Sequence, residues 1–191
     1  MREPTTRESI VEAADRLFYR QGYDRTSFAD IAGAVRISRG NFYHHFKAKD
    51  DILDAVIALR LADARAMLAR WEAESDAPAA RIRRFIRILT EHRADIARYG
   101  CPLGTLSGEL ARLNHAALPG ANGLFELFRT WLRRQFEALG RTSDADALAL
   151  HLLARSQGVA ALANAFGSEA FIRREATLMH DWLDRLIDAE E

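Results

Sequence analysis

Residues 26–49, TSFADIAGAVRISRGNFYHHFKAK, constrain this chain more than any other stretch, because two helix starts fall within them, at Ser27 and Ser38. Ser27 with Asp30 three residues on has the spacing of a capping box, so a helix begins there. Phe28, Ile31 and Ala32 give that helix one apolar side. Ser38 is a second good N-cap and predicts a short helix from 38 to 46. At about 100° per residue, Phe42 and Phe46 share one side of it, while Gly40 and His44 point the opposite way, flanked by Asn41 and Tyr43. An aromatic pair suited to a core thus backs a face of glycine, amide, phenol and imidazole. The glycine leaves room for close approach, and Arg39 and Asn41 carry the donors that read guanine and adenine edges. Lys47 and Lys49 follow where the phosphates flanking a groove would lie. The DNA-facing set on this reading is Ser27, Arg36, Ser38, Arg39, Gly40, Asn41, Tyr43, His44 and Lys49. Taken singly, each of these is as readily a solvated surface group.

Order and spacing separate the two readings. Thr26-Ser27, Ile31-Ala32, Ser38-x-Gly40, Phe42-Tyr43-x-His45-Phe46 and Lys49 resemble the N-terminal domain of the tetracycline-repressor-type (TetR) regulators. So do Ile10, Ala13-Ala14, Leu17-Phe18 and Gly22-Tyr23 upstream. The resemblance covers the first fifty residues or so. It implies an all-α chain of about nine helices. A three-helix helix-turn-helix domain at 1–49 would join a helical ligand-binding and dimerisation domain at 50–191. It also implies a cytoplasmic homodimer on a near-palindromic operator of double-stranded DNA, released by a small-molecule inducer or an electrophile or oxidant, with no cofactor and no metal. One position departs from the pattern. The family usually has glycine in the turn where this chain has Arg36. A side chain in a left-handed turn costs ~1 kcal/mol. Either Arg36 recovers some of that through a phosphate contact, or the turn has another shape.

Charge is less telling than the motif. The net charge is zero, but residues 1–50 hold nine Lys/Arg against seven Asp/Glu, so any basic surface is modest and local. Only two of the 27 cationic residues are lysines, both in the 47–49 segment. With 49% hydrophobic and 28% charged residues the composition is that of a globular chain. One cysteine rules out an internal disulfide and fits a reducing compartment. The charged, proline-interrupted MREPTTRESI does not read as a signal peptide, and uncharged runs are too short to span a bilayer.

Helical periodicity fills the rest. Thr5 and Glu8 form a capping box for a first helix that Gly22 stops. Later helices are predicted from 50 to about 71, then over 79–98, 103–113, 119–139, 144–166 and 168–187. If the C-terminal part receives a ligand, Phe85, Leu89, Phe125, Phe128 and Trp131 could line its cavity, with His92, His115 or Gln157 as polar anchors. The competing reading is packed core. Ala160, Leu162 and Ala163, with Met179, Trp182, Leu183 and Leu186, suit a four-helix dimer interface or ordinary packing within the chain, and the resemblance favours the dimer.

Signals of catalysis are close to absent. The sequence has no phosphate-binding G-x-x-x-x-G-K-[ST], no G-x-G-x-x-G and no H-E-x-x-H. Gly104-Thr-Leu-Ser-Gly108 is one residue too long for a nucleophile elbow. Cys101, at the start of a helix, reads either as a small apolar core residue or as a sensor thiol activated by the helix N–H groups. An all-α enzyme and a helical ligand carrier are the competing classes; the second leaves the 26–49 pattern as coincidence.

Overall fold

The computed structural model describes residues 4–188, apart from the side chain of Arg39, and all regular structure among them is α-helical. Its segments are α1 (Thr6–Gln21), α2 (Phe28–Val35), α3 (Arg39–His45), α4 (Lys49–Glu74) and α5 (Pro78–Glu91). They continue with α6 (Arg93–Tyr99), α7 (Pro102–Arg112), α8 (Leu118–Ala138), α9 (Ala145–Phe166) and α10 (Glu169–Asp188). The single helix expected over 79–98 is two, because His92 (φ −107°, ψ 19°) ends α5 and opens α6. Neither glycine nor proline marks that break, so the sequence carries no signal for it.

Both capping boxes form. The Thr5 N–H donates to Glu8 Oε2 at 2.7 Å, and the Ser27 N–H donates to Asp30 Oδ2 at 2.8 Å while Ser27 Oγ accepts from the Asp30 N–H at 3.2 Å. Each satisfies main-chain donors that a helix start otherwise leaves open. The Ser27 N–H, with its hydroxyl, holds the exposed Asp30 carboxyl below the usual carboxylate range.

Packing divides the chain into two compact units. The first runs to Ala64 and takes in Thr105–Leu124; the second holds Arg65–Gly104 and the chain from Phe125 onward. The boundary expected at 49/50 is therefore not where packing divides. The first turns of α4 give Ile52, Leu53, Val56 and Ile57 to the core of α1–α3, and Leu106, Leu110 and Ala121 join it from α7 and α8. Around them lie Ile10, Ala14, Phe18, Tyr23, Ile31, Phe42 and Phe46, all buried. Fully burying a large apolar side chain is worth ~1.5–3 kcal/mol, and three short helices alone would leave several of these half covered.

In the second unit α10 lies along α5, and α9 packs on α6 and α10. Ile82, Ile86, Leu152, Ile172, Met179 and Leu183 of these helices are buried, as are Leu132 and Phe136 of α8. Trp71 meets Trp131 edge-on at 5.7 Å, and the Trp131 indole N–H donates to Glu72 Oε1 at 2.8 Å. Among the described residues no helix is long and apolar enough to cross a membrane.

Candidate nucleic-acid interface

The helix-turn-helix is built by two local devices and a buried aromatic pair. At the end of α2, Arg36 is left-handed (φ 59°, ψ 42°). The Ile37 N–H reaches back to the Ala32 carbonyl and the Arg36 N–H to the Gly33 carbonyl, both at 3.2 Å. That pattern is a Schellman closure, which glycine normally provides. So the turn keeps the left-handed shape with arginine in it, and the strain expected from the sequence is present. Two residues later Ser38 Oγ accepts from the Asn41 N–H at 3.3 Å and starts α3.

Within α3, Phe42 and Phe46 are buried against the core, Phe42 edge-on to Phe28 at 5.1 Å. The opposite face is open. Ser38, Gly40, Asn41, Tyr43 and His44 are exposed together, with Arg36 and Ser27 exposed nearby. A Cβ built on Gly40 would meet nothing within 4 Å, so this chain's own packing makes no demand for glycine there. Tyr43 leans on Phe28 at 5.5 Å, and a groove of about 300 Å³ opens beside it, lined by Ser27, Phe28, Ala29, Ala32, Phe42 and Tyr43. Lys47 is exposed, its ammonium on the Tyr43 carbonyl at the end of α3. The Arg39 side chain lies outside the described residues.

Lys49 differs from its sequence reading. Its ammonium donates to the Tyr23 and Asp24 carbonyls at 3.1 and 3.3 Å and sits 4.2 Å over the Tyr23 ring. A half-buried amine so engaged supports the turn after α1 rather than standing free for a phosphate. Residues the sequence reading passed over meet at the same turn. Glu109 accepts from the Tyr23 and Asp24 N–H groups, and the Tyr23 hydroxyl donates to Asp50 Oδ1 at 2.5 Å. That bond holds the Asp50 carboxyl below its usual range; burial first, and then the same bond, pushes the Tyr23 phenol up. Glu109 lies 86 residues from Tyr23, and no local pattern announces such a pairing.

The other sequence-predicted residues lie in the second unit, except His115, which sits in the first with its ring edge-on to that of Tyr23. Phe85, Leu89, Phe128 and Trp131 are buried, Phe85 against Phe128 at 5.8 Å, which is the packed-core arrangement. Phe125 is half-buried and His92 exposed at its helix break. Cys101, just before α7, and Gln157 of α9 are brought together at Gly104: a Cβ there would lie 2.5 Å from Gln157 Oε1 and 3.7 Å from Cys101 Cβ. Of the expected interface, Ala160, Ala163, Met179 and Leu183 are buried inside their own unit, and Trp182 and Leu186 are half-buried. Leu162 faces outward, as do Leu150, Phe166 and Leu178.

A short helix with an aromatic inner face and a polar outer face, set after a tight left-handed turn, defines a helix-turn-helix protein. Residues 10–56 match the family described as bacterial regulatory proteins, tetR family. The transcriptional regulator AcuR of Cereibacter sphaeroides is 33% identical over 150 residues, 74% of this chain and 68% of that protein. The regulator TtgR of Pseudomonas putida is 44% identical over 52 residues, 27% of this chain and 25% of that protein. An uncharacterized HTH-type regulator of Lactococcus lactis subsp. lactis is 31% identical over 111 residues, and the match spans 57% of each chain. A solved TetR transcriptional regulator from Legionella pneumophila superposes with a TM-score of 0.83 at 27% identity, over 97% of this chain and 99% of that one. The chain belongs to the TetR family of bacterial transcriptional regulators, and the family's helix-turn-helix is the one described above. It is a family of regulators, not of enzymes.

Proposed function

We propose that this protein is a cytoplasmic repressor that binds a near-palindromic operator as a homodimer and is released by a small molecule or by an electrophile or oxidant. The observation that carries the DNA-binding part is the two-faced α3, with Phe42 and Phe46 buried while Gly40, Asn41, Tyr43 and His44 are exposed on the other side. Such a helix enters a major groove with its N-terminal residues at base edges and with Arg36, Ser38 and Lys47 toward the backbone. One helix spans only a few base pairs, so specificity calls for a second copy. The outward side chains Leu150, Leu162 and Phe166 of α9 with Leu178 of α10 are the apolar surface that pairing would cover, Phe166 being 65% exposed. The regulatory signal is assigned to the second unit, around Cys101 and Gln157.

The deciding experiment is fluorescence anisotropy on a duplex from upstream of the protein's own gene, across a salt series. A good bidentate base contact is worth roughly 1–3 kcal/mol, so the Asn41→Ala, His44→Ala double variant should lose operator preference. Gly40→Ala should keep or raise thermal stability, since nothing lies near its Cβ, yet weaken binding. Undiminished affinity in the double variant overturns the reading.

A further inference from the structure

The turn between α1 and α2 is held from outside by a carboxylate of α7. Gly22 (φ +93°) turns the chain so that the next two N–H groups point the same way. The Tyr23 N–H donates to Glu109 Oε2 at 2.8 Å and the Asp24 N–H to Glu109 Oε1 at 3.0 Å. A Cβ at Gly22 would come within 2.9 Å of that carboxylate, so the glycine admits it. Lys49 takes the carbonyls of the same two residues. The peptide joining Tyr23 to Asp24 therefore gives its N–H to an anion and its C=O to a cation, which polarises and strengthens both bonds.

The side chain of Tyr23 is fixed as firmly. Its hydroxyl is on Asp50, and the His115 ring stands edge-on to its ring at 5.1 Å. His115 Nδ1 accepts from the Ala117 N–H at 3.1 Å, which leaves Nε2 to carry the proton toward Asp50 Oδ1, 3.5 Å away. Beyond the turn, the buried Thr26 hydroxyl donates to the Gly22 carbonyl at 2.6 Å, and Ser27 then caps α2. Only two residues, Arg25 and Thr26, thus separate the peptide that Glu109 grips from the cap of the helix that supports the reading head.

We propose that Glu109 is a positioning residue for DNA binding: by clasping the Tyr23 and Asp24 amides from α7, it sets the turn from which α2 and α3 are hung. This rests on the DNA-binding reading of α3. Glu109 itself has no part at the DNA surface. Without its carboxylate the buried Tyr23 amide loses its acceptor, and operator binding must order the turn at its own cost. Affinity then falls although the protein still neutralises the same number of phosphates, so the dependence of affinity on salt keeps its slope.

The test compares wild type, Glu109→Ala and Glu109→Gln by anisotropy on the upstream duplex, with amide hydrogen exchange on the free proteins. Glu109→Ala should bind about tenfold more weakly, the equivalent of one charge-assisted hydrogen bond, with an unchanged salt slope. Glu109→Gln, which keeps one acceptor oxygen, should recover part of the loss. Exchange at Tyr23 and Asp24 should quicken in Glu109→Gln while amides within α1 and α2 stay protected. The glutamine variant keeps the side chain's bulk, so the comparison stands even if the alanine variant fails to fold. Wild-type affinity in Glu109→Gln together with unchanged exchange at both amides overturns the proposal. So does a protection loss spread evenly through α1 and α2, which would mark a merely structural residue. If wild type shows no preference for the duplex over random DNA, it is the DNA-binding reading that fails, while the exchange result still reports on the clasp.

Discussion

Arg36→Gly is the substitution that isolates the cost of this chain's departure from its family. Arg36 is exposed and left-handed, and the Schellman bonds on either side of it involve only main chain. Glycine can therefore replace it without disturbing any packed neighbour. Relief of the left-handed strain is worth ~1–2 kcal/mol. Against that, glycine widens the unfolded ensemble at a cost of ~0.4–1 kcal/mol. The net is a gain of roughly 0.5–1 kcal/mol, which for a chain of this size raises the melting temperature by ~1–4 °C. Differential scanning calorimetry reads it directly, with Arg36→Ala as the control that removes the guanidinium and keeps the strain. If Arg36 also touches a phosphate, operator affinity falls and the salt slope drops by about one while stability rises. The two quantities then move in opposite directions, which fits strain retained for a contact. A melting temperature that falls in Arg36→Gly, or rises as much in Arg36→Ala, would refute the strain argument.

Inside and outside of the C-terminal helices should separate cleanly. Leu183→Asp puts a charge into a fully buried site and should cost at least ~3 kcal/mol of stability; Phe166→Asp, at an exposed site, should leave the fold intact and, by sedimentation, shift a dimer to monomer. The His180 imidazole, held below its ordinary pKa by burial first and then by Arg83 and Arg87, with Asp184 and Asp181 opposing, takes up a proton more readily in the unfolded chain. Stability is then fully present above about pH 6.5 and declines as pH falls toward the folded value, a slope that His180→Gln should flatten in a melting series from pH 7.5 to 5. N-ethylmaleimide should release the wild-type protein from DNA and leave Cys101→Ser bound; equal release of both would make Cys101 a structural thiol.

What the sequence makes legible here is local and short-range. The two capping boxes need only a three-residue spacing, and the inward turn of Phe42 and Phe46 needs only helical periodicity, so both stand in the structure as read. α9 is the opposite case. Alanine lies on its buried side at 160 and 163 and on its exposed side at 154, 161 and 165, so composition does not say which face looks inward. The interface reading accordingly drew in residues, Met179 and Leu183 among them, that close the unit's own core. The split at His92 escaped for a related reason, since two helices abutting without glycine or proline keep one continuous apolar stripe. The hold of Glu109 on the Tyr23 turn escaped because only the folded chain brings positions 23 and 109 together.

The pinning of Lys49 also bears on why a chain this rich in arginine keeps an amine there. Of 27 cationic residues only two are lysines. An ammonium is compact and can aim its donors in different directions, so it satisfies two carbonyls at 3.1 and 3.3 Å while lying over an aromatic face. A guanidinium is a rigid planar fork on a longer reach, and it could stack on the Tyr23 ring or straddle the carbonyls but not do both in that space. Lysine-to-arginine, ordinarily the mildest of exchanges, is a disruptive one at this position, and the same exchange at the exposed Lys47 is not.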